Sequence, residues 1–278
     1  RQGAGAHPLG RAVAKRPRAP HLRPIRGVRA VAGGSRVRVL MRGLIGALLP
    51  VQCAGCRAWD EVLCPSCRSL AAGPAHGASI DGARGPLPLV AMGDYDGPLR
   101  RIVLAAKHSA RTDVTGFLDE AGARLGTALG GVLGLAGSPA DAVGVPTGRA
   151  PSTGSAVDVW VVPAPSSWKR RLRGRQVALP LARAVARALA AGARPGVRVR
   201  VVDAARLRVG ATSQSGKAGA QRTVGRMGSM RALAVPGPGV LVVAVDDVVT
   251  TGATVREMER VLGGLDAVAT LCRPGLIS

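Results

Sequence analysis

Residues 240–272 read VLVVAVDDVVTTGATVREMERVLGGLDAVATLC, and their pattern indicates the fold class. Val240–Val245 is a continuous apolar run rich in valine, as is typical of a parallel strand that is covered on both faces. Apolar residues then recur at helical spacing, and a second apolar run, Ala267–Cys272, follows. The stretch therefore predicts a strand–loop–helix–strand unit, and with it an α/β protein whose parallel sheet is flanked by helices.

The first of these strands ends in two adjacent acids, Asp246 and Asp247, before the loop Thr250-Thr251-Gly252-Ala253-Thr254. In open α/β sheets ligands gather at the carboxyl ends of strands. Backbone amides at a helix amino terminus favour phosphate, and the two carboxylates can accept hydrogen bonds from sugar hydroxyls. The loop predicts a site for a phosphorylated ribose. The alternative is an ordinary strand-to-helix turn with threonine caps, which leaves the two acids at a buried strand end unexplained.

Four cysteines form two Cys-x-x-Cys pairs separated by seven residues: Cys53, Cys56, Cys64 and Cys67. Each pair can turn tightly enough to aim two thiolates at one point, and four thiolates make the tetrahedral shell that Zn²⁺ prefers. Disulfides would require an oxidising compartment, and a redox pair would not need a second pair nearby. We expect a structural zinc without an open coordination position. Cys272 we expect to be a small buried residue of the last strand.

The chain carries a formal net charge of +23, with 39 Lys/Arg and 16 Asp/Glu. Residues 1–40 hold ten of the basic residues and no acid, which leaves +13 for the rest. Arginine-rich coding bias and selection for anionic ligands both explain this excess. The few aromatic residues are scattered, so a stacking platform for single-stranded nucleic acid is not indicated, and any DNA contact would be electrostatic and strongly salt-dependent.

Residues 1–40 have no sustained helical or strand period, and we expect them to be a disordered basic extension, with Met41 the true initiator. A signal peptide is the competing interpretation of the apolar run Leu44–Val51. That run is short, contains Gly46 and ends near Pro50. Because no apolar stretch approaches the ~18 residues of a membrane span, we expect a cytoplasmic protein.

A strongly basic loop follows the predicted strand Val157–Val162 and includes Arg171 and Arg175. Loops after the carboxyl end of a strand carry function, and guanidinium groups suit diphosphate oxygens. The alternative is a solvated basic surface. Lys107 ends an amphipathic segment, where it either caps a helix or contacts phosphate.

The run of two acids, two apolar residues and TTGAT resembles the phosphoribosyl pyrophosphate signature of type I phosphoribosyltransferases. The resemblance implies that fold, a sheet flanked by helices. It also implies that Asp246 and Asp247 hold the ribose 2′- and 3′-hydroxyls, that Thr250–Thr254 hold the 5′-phosphate, and that Mg²⁺ accompanies phosphoribosyl pyrophosphate.

A four-cysteine zinc ribbon ahead of such a domain resembles the ComF family of competence proteins. The segments Tyr95–Lys107 and Trp160–Arg175 are similar to other landmarks of that family, as are Gln214 and Arg222 at its mobile loop. The expected organisation is a helix plus zinc ribbon over 41–75 and a phosphoribosyltransferase-like domain over 85–278, with an insertion at 130–156.

The ComF resemblance implies a protein of DNA uptake and natural transformation that binds phosphoribosyl pyrophosphate or a related ribose phosphate. It also implies contact with single-stranded DNA and with competence or recombination proteins. The alternative is an active phosphoribosyltransferase of nucleotide salvage with no role in DNA uptake. In that enzyme a nucleobase nitrogen would displace pyrophosphate from ribose C1.

Overall fold

The computed structural model describes residues 51–109, 112–137, 156–167, 171–172, 174–208 and 228–275. These residues lie within a single unit, Leu49–Ser278. The basic extension at 1–40, the initiator at Met41, most of the predicted insertion, and Gln214 and Arg222 lie outside the described residues.

The described part of the chain begins with the cysteine segment, which holds the short helix α1 (Pro65–Arg68) and a 3₁₀ turn at Ser69–Ala71. The remaining helices are α2 (Gly97–His108), α3 (Thr115–Val132), α4 (Ala178–Gly192) and α5 (Ala253–Leu262). The strands are β1 (His76–Gly82), β2 (Gly85–Gly93), β3 (Val157–Pro163), β4 (Val197–Val201), β5 (Ala205–Leu207), β6 (Met230–Ala232), β7 (Leu241–Val248) and β8 (Ala267–Cys272).

Six strands form one sheet in the order β1-β2-β8-β7-β3-β4. Strands β2, β8, β7, β3 and β4 are all parallel, and β1 pairs antiparallel with β2. Strands β5 and β6 form a separate two-stranded sheet. The protein is therefore an α/β protein with a mostly parallel sheet, as the sequence predicts. The antiparallel strand β1, which lies between the two domains expected from the sequence, belongs to the main sheet.

The sheet is covered on both faces, which explains the continuous valine-rich strands. On one face Val159, Val161, Val243 and Val245 pack against α2, α3 and α4 and against the cysteine segment. On the other face Val242 and Ala244 lie with α5 and with Met230 of β6. Every helix with the bounds given above contributes to one of these two clusters, and the short α1 does so through Cys67.

Helices α3 and α4 pack at very short range because α3 carries glycines four residues apart. A Cβ at Gly122 would lie 2.3 Å from the Cβ of Ala184, and one at Gly126 would lie 2.5 Å from the carbonyl oxygen of Val185. Leu181, Val185 and Leu189 of α4 are fully buried, as their i, i+4, i+8 spacing predicts. Helix α3 continues to Val132, past the predicted start of the insertion.

No helix among the described residues is both long enough and apolar enough to cross a membrane.

Candidate phosphate-binding site and candidate metal centre

The order of the strands singles out the position at the edge of the sheet where open α/β proteins form a ligand crevice. All five parallel strands end at the same edge. From β3 the chain passes to β4, the neighbour on one side, and from β7 it passes to β8, the neighbour on the opposite side. The carboxyl ends of β3 and β7 therefore flank the point at which the strand order reverses. Ligands of open α/β sheets bind at such a switch point. The acid pair Asp246-Asp247 lies at the end of β7, beside this crevice.

Asp247 is paired with a lysine from another element. Its Oδ1 lies 2.9 Å from Nζ of Lys107, near the carboxyl end of α2, and both side chains are only 16% exposed. The N–H of Asp247 donates to Oδ1 of Asp246 at 2.8 Å. The opposite charges of Asp247 and Lys107 compensate each other in this half-buried position. Lys107 thus lies at the predicted site rather than only at a helix end.

The loop after β7 has an accessible part and a buried part. Thr250 and Thr251 are exposed, while Gly252 and Ala253 are buried and Thr254 is half-buried. Gly252 precedes α5 with φ of 70°, and a Cβ there would lie 2.6 Å from Cδ1 of Ile80. Only glycine fits both the left-handed backbone and the approach of Ile80. Gly252 has no side chain to cap the first-turn N–H groups of α5, which favour an anion.

The loop is held by the helix that it precedes. Arg256, in the first turn of α5, donates from Nη2 to the carbonyl oxygen of Thr251 at 2.6 Å. Its own N–H donates to the carbonyl oxygen of Gly252 at 2.9 Å. These bonds fix the loop backbone and add a positive charge beside it. Arg256 was not selected from the sequence, although a basic residue one turn beyond a glycine loop is a signal that could have found it.

The two predicted arginines of the basic loop are both held by neighbouring elements. Arg171 Nη2 lies 2.7 Å from Oδ2 of Asp203, which follows β4. Arg175 Nη1 donates to the carbonyl oxygen of His108 at 2.8 Å. His108 follows Lys107 at the carboxyl end of α2. This helix end therefore contacts the basic loop through His108 and the acid pair through Lys107. Trp168, Lys169, Arg170 and Arg173 lie outside the described residues.

Cys272 ends β8 and is fully buried, as expected. Burial and the nearby negative charge of Asp247 raise the pKa of its thiol to about 12. The thiol therefore stays protonated at neutral pH, which suits a core residue and not a nucleophile or metal ligand.

The four predicted cysteines form one cluster, a candidate metal centre. The Sγ atoms of Cys53, Cys56, Cys64 and Cys67 all lie within 4.8 Å of one another, and those of Cys56 and Cys64 are 3.5 Å apart. A tetrahedral zinc with Zn–S bonds of about 2.3 Å separates its sulfurs by about 3.8 Å. The cluster could therefore hold a structural metal such as Zn²⁺, and the four cysteines would occupy all four of its coordination positions. In place of the strands of a zinc ribbon, the described cysteine segment has one isolated antiparallel bridge, between Gln52 and Trp59.

The backbone around the cluster favours a thiolate at one position. Burial opposes ionisation of Cys53, but N–H groups of Cys64, Cys56 and Gly55 lower its pKa to about 6. Burial and the neighbouring sulfurs raise the pKa of Cys67. Four crowded sulfurs cannot all ionise without a cation, and a bound metal would remove that restriction.

The cysteine cluster packs directly on helix α2. A Cβ at Gly55 would lie 2.4 Å from Sγ of Cys67 and 3.4 Å from Cδ1 of Ile102. The side chain of Arg101 donates from Nε to the carbonyl oxygen of Gly55. Cys53 and Cys67 are buried in the same core as Ile102 and Val103. The candidate metal centre thus supports the helix whose other end carries Lys107.

No known protein family matches this sequence, and no curated protein matches it either. The four-cysteine cluster and the mostly parallel α/β sheet agree with the organisation expected from the sequence. The phosphoribosyltransferase topology, the ComF relationship and the roles of the individual site residues remain predictions.

Proposed function

We propose that this chain is a ComF-like protein with a phosphoribosyltransferase domain that binds phosphoribosyl pyrophosphate, or a related ribose phosphate, together with Mg²⁺. The observation that carries the proposal is the acid pair at the end of β7. It lies at the switch point of the sheet, separated by two residues from an exposed threonine pair and close to a helix amino terminus whose N-cap residue, Gly252, has no capping side chain. This arrangement offers acceptors for hydroxyls next to donors for a phosphoryl group, which matches the two ends of a ribose 5-phosphate.

In the proposed complex each part of the loop has a separate task. The carboxylates of Asp246 and Asp247 accept hydrogen bonds from the ribose hydroxyls. The hydroxyls of Thr250 and Thr251 and the first amides of α5 hold the 5′-phosphate. Lys107 keeps the charge of Asp247 balanced while the sugar is bound.

The diphosphate of the ligand would lie on the β3 side of the crevice. Arg171 and Arg175 are held at that side by Asp203 and by the end of α2. Guanidinium groups bind phosphate oxygens through paired, directional hydrogen bonds. Mg²⁺ would neutralise part of the diphosphate charge and would arrive with the ligand.

Turnover requires one further component, a nucleophile. In a salvage phosphoribosyltransferase a nucleobase nitrogen forms the new bond to C1 as the C1–O bond breaks and the electron pair leaves with pyrophosphate. The same ligand site serves this alternative function. The two functions differ in whether pyrophosphate is released when a nucleobase is added.

The role in DNA uptake is proposed on the ComF resemblance, with single-stranded DNA and competence or recombination proteins as partners and the cytoplasm as the location. The net charge of +23 is consistent with an anionic partner. Exposed arginines of the described surface include Arg198 and Arg200 on β4, with side chains 68% and 59% exposed.

The acid pair is tested by calorimetric titration with phosphoribosyl pyrophosphate and Mg²⁺. We expect Asp246→Asn combined with Asp247→Asn to weaken binding about 100-fold or more, since a hydrogen bond to a charged group contributes roughly 1.5–3 kcal/mol. A simple loss of negative charge would strengthen the binding of an anion instead, so the sign of the change is informative.

The matched control is Asp119→Asn combined with Asp158→Asn, which also removes two negative charges. Asp119 pairs with Arg187 on the helical surface, and Asp158 pairs with Arg198 near the amino end of β3. This control should bind with nearly unchanged affinity. Equal affinity of the Asp246/Asp247 variant and the unaltered chain, with both folded by circular dichroism, would refute the ribose role.

A further inference from the structure

Asp203 is an acid at the candidate site that the sequence analysis did not select. It lies two residues beyond β4, and the N–H of Val202 still bonds the carbonyl oxygen of Val161 in β3 at 3.1 Å. Asp203 is therefore fixed at the carboxyl edge of the sheet, next to the end of β3. The basic loop begins at that end, and Asp203 reaches Arg171 within it.

One oxygen of Asp203 holds two arginines. Oδ2 lies 2.7 Å from Nη2 of Arg171 and 3.4 Å from Nη2 of Arg206. The side chain of Asp203 is 38% exposed and that of Arg171 is 26% exposed. A guanidinium is planar, so a short bond at one nitrogen fixes the directions of its other N–H groups. Asp203 thereby restricts the orientation of the Arg171 guanidinium.

Arg171 also has a donor that no described protein atom satisfies. Its Nε is buried, and among the described residues it has no hydrogen-bond partner. A buried N–H without an acceptor costs free energy, so such donors in native proteins call for an explanation. An anionic oxygen at the switch point would supply the acceptor. The guanidinium that carries this donor is held by Asp203, which follows β4, whereas the acid pair belongs to β7.

We propose that Asp203 is a positioning residue that orients Arg171 toward the diphosphate of the bound ligand. The inference rests on the proposed function, because it needs a ribose phosphate in the crevice. It assigns the two sides of the crevice to different parts of that ligand. The β7 side holds the sugar and its 5′-phosphate, and the β3–β4 side holds the diphosphate on C1.

Removal of the Asp203 carboxylate should change the affinity for a diphosphate ligand in the direction opposite to that expected from charge alone. Removal of a negative charge near the site should strengthen the binding of every anion. If Asp203 instead acts by orienting Arg171, its removal should weaken the binding of a diphosphate ligand. A ligand without the diphosphate should be unaffected by the orientation of Arg171.

The test is calorimetric titration of the full chain with two probes, phosphoribosyl pyrophosphate with Mg²⁺ and ribose 5-phosphate. For Asp203→Asn we expect roughly tenfold weaker binding of the first probe and ribose 5-phosphate affinity within about twofold of the unaltered chain. Asp158→Asn is the matched control. Asp158 contacts two arginines, Arg198 and Arg200, and is similarly exposed, but it lies near the amino end of β3.

A double-mutant cycle identifies the partner through which Asp203 acts. Arg171→Gln should weaken diphosphate binding to a similar degree, and Asp203→Asn should then add little. Full additivity of the two changes would overturn the inference, as would an equal loss of affinity for both probes. So would unchanged or tighter binding of phosphoribosyl pyrophosphate by Asp203→Asn.

The same titrations separate this inference from the function beneath it. An unaltered chain that binds neither probe would overturn the proposed function and this inference together. The other outcome is that the unaltered chain binds both probes and Asp203→Asn keeps the same preference for phosphoribosyl pyrophosphate over ribose 5-phosphate. That result would overturn only the inference about Asp203.

Discussion

Gly55 shows how a single missing side chain can define the candidate metal centre. It lies between Cys53 and Cys56, and any Cβ there would lie 2.4 Å from Sγ of Cys67. The sequence predicts a turn at this position but cannot reveal which atom approaches it. That atom belongs to the second Cys-x-x-Cys pair, and it lies close to Gly55 only because folding brings the two pairs together.

We predict that the unaltered chain binds about one zinc ion and that Gly55→Ala weakens this binding at least tenfold. The added methyl group would displace the Cys67 sulfur and break the tetrahedral arrangement. Metal analysis and competition with a chromogenic chelator measure the effect. The matched control is Gly77→Ala in β1, where a Cβ would meet no atom within 4 Å. Zinc affinity unchanged in Gly55→Ala, or a folded chain that binds no zinc, would contradict this account.

Lys107 illustrates what a single position cannot predict. From the sequence it is equally a helix cap and a phosphate ligand, because both interpretations depend on what lies opposite the end of α2. The structure places Asp247 there at 2.9 Å, across a separation of 140 residues. Asp247 was selected from the sequence as a site residue, but its pairing with Lys107 was not predicted.

At the scale of elements, the strand–loop–helix–strand unit was the easiest part to predict. The expected strand from Val240 is β7, the helical spacing after Gly252 is α5, and the last strand is β8, Ala267–Cys272. Its local pattern suffices because both strands are covered on both faces. Strand β1 was missed because its residues alternate between exposed and half-buried and include two glycines and a histidine.

Helix α5 is also connected to β6, through a buried acid that the apolar spacing of its sequence did not reveal. Glu257 is 3% exposed, and its Oε1 accepts the N–H of Met230 in β6 at 3.0 Å. Arg260 binds the same carboxylate through Nε and Nη2 at 2.8 and 2.9 Å. Burial opposes ionisation, but these hydrogen bonds lower the pKa of Glu257. Glu257 thus joins the helix that follows the Thr250–Thr254 loop to the two-stranded sheet of β5 and β6.

We predict that Glu257→Gln lowers the unfolding free energy by roughly 1–3 kcal/mol at neutral pH. Because the folded-state pKa of Glu257 is below its unfolded value, this contribution is complete above pH ~4.3 and is lost as the pH falls through the folded value. The unfolding free energies of the two proteins should therefore converge in acid. Urea titrations from pH 7 to pH 3 measure this difference.

The control for that series is Glu120→Gln on α3. Glu120 is 51% exposed and lies 4.0 Å from Arg124, so its removal should cost little at any pH. A Glu257→Gln difference that stays constant from neutral to acid pH would show that the carboxylate charge does not contribute.

At the scale of the whole molecule, the order of the strands could not be predicted from local patterns. Whether β7 lies beside β3 or at an edge depends on contacts between distant segments, and each strand alone is compatible with several orders. The order β1-β2-β8-β7-β3-β4 creates the switch point at the candidate site. It also brings Asp203, Arg171 and Asp247 to one edge, a grouping that the spacing of these residues in sequence does not show.

The candidate metal centre and the candidate phosphate site are joined by one helix. The Arg101 side chain of α2 contacts the backbone of Gly55, and Lys107 of the same helix pairs with Asp247. Six residues of α-helix span about 9 Å. The cysteine segment therefore packs on the same helix that carries Lys107 to the candidate phosphate site.

Amide hydrogen exchange of the full chain, with and without saturating ribose 5-phosphate, tests the proposed phosphate site at the amino terminus of α5. We predict slower exchange in peptides that cover residues 249–256, because the phosphoryl group accepts hydrogen bonds from the first amides of α5. Peptides at the amino end of the sheet, such as those covering 156–159, should exchange unchanged. Measurable binding of ribose 5-phosphate without protection of 249–256, or no binding at all, would contradict the account.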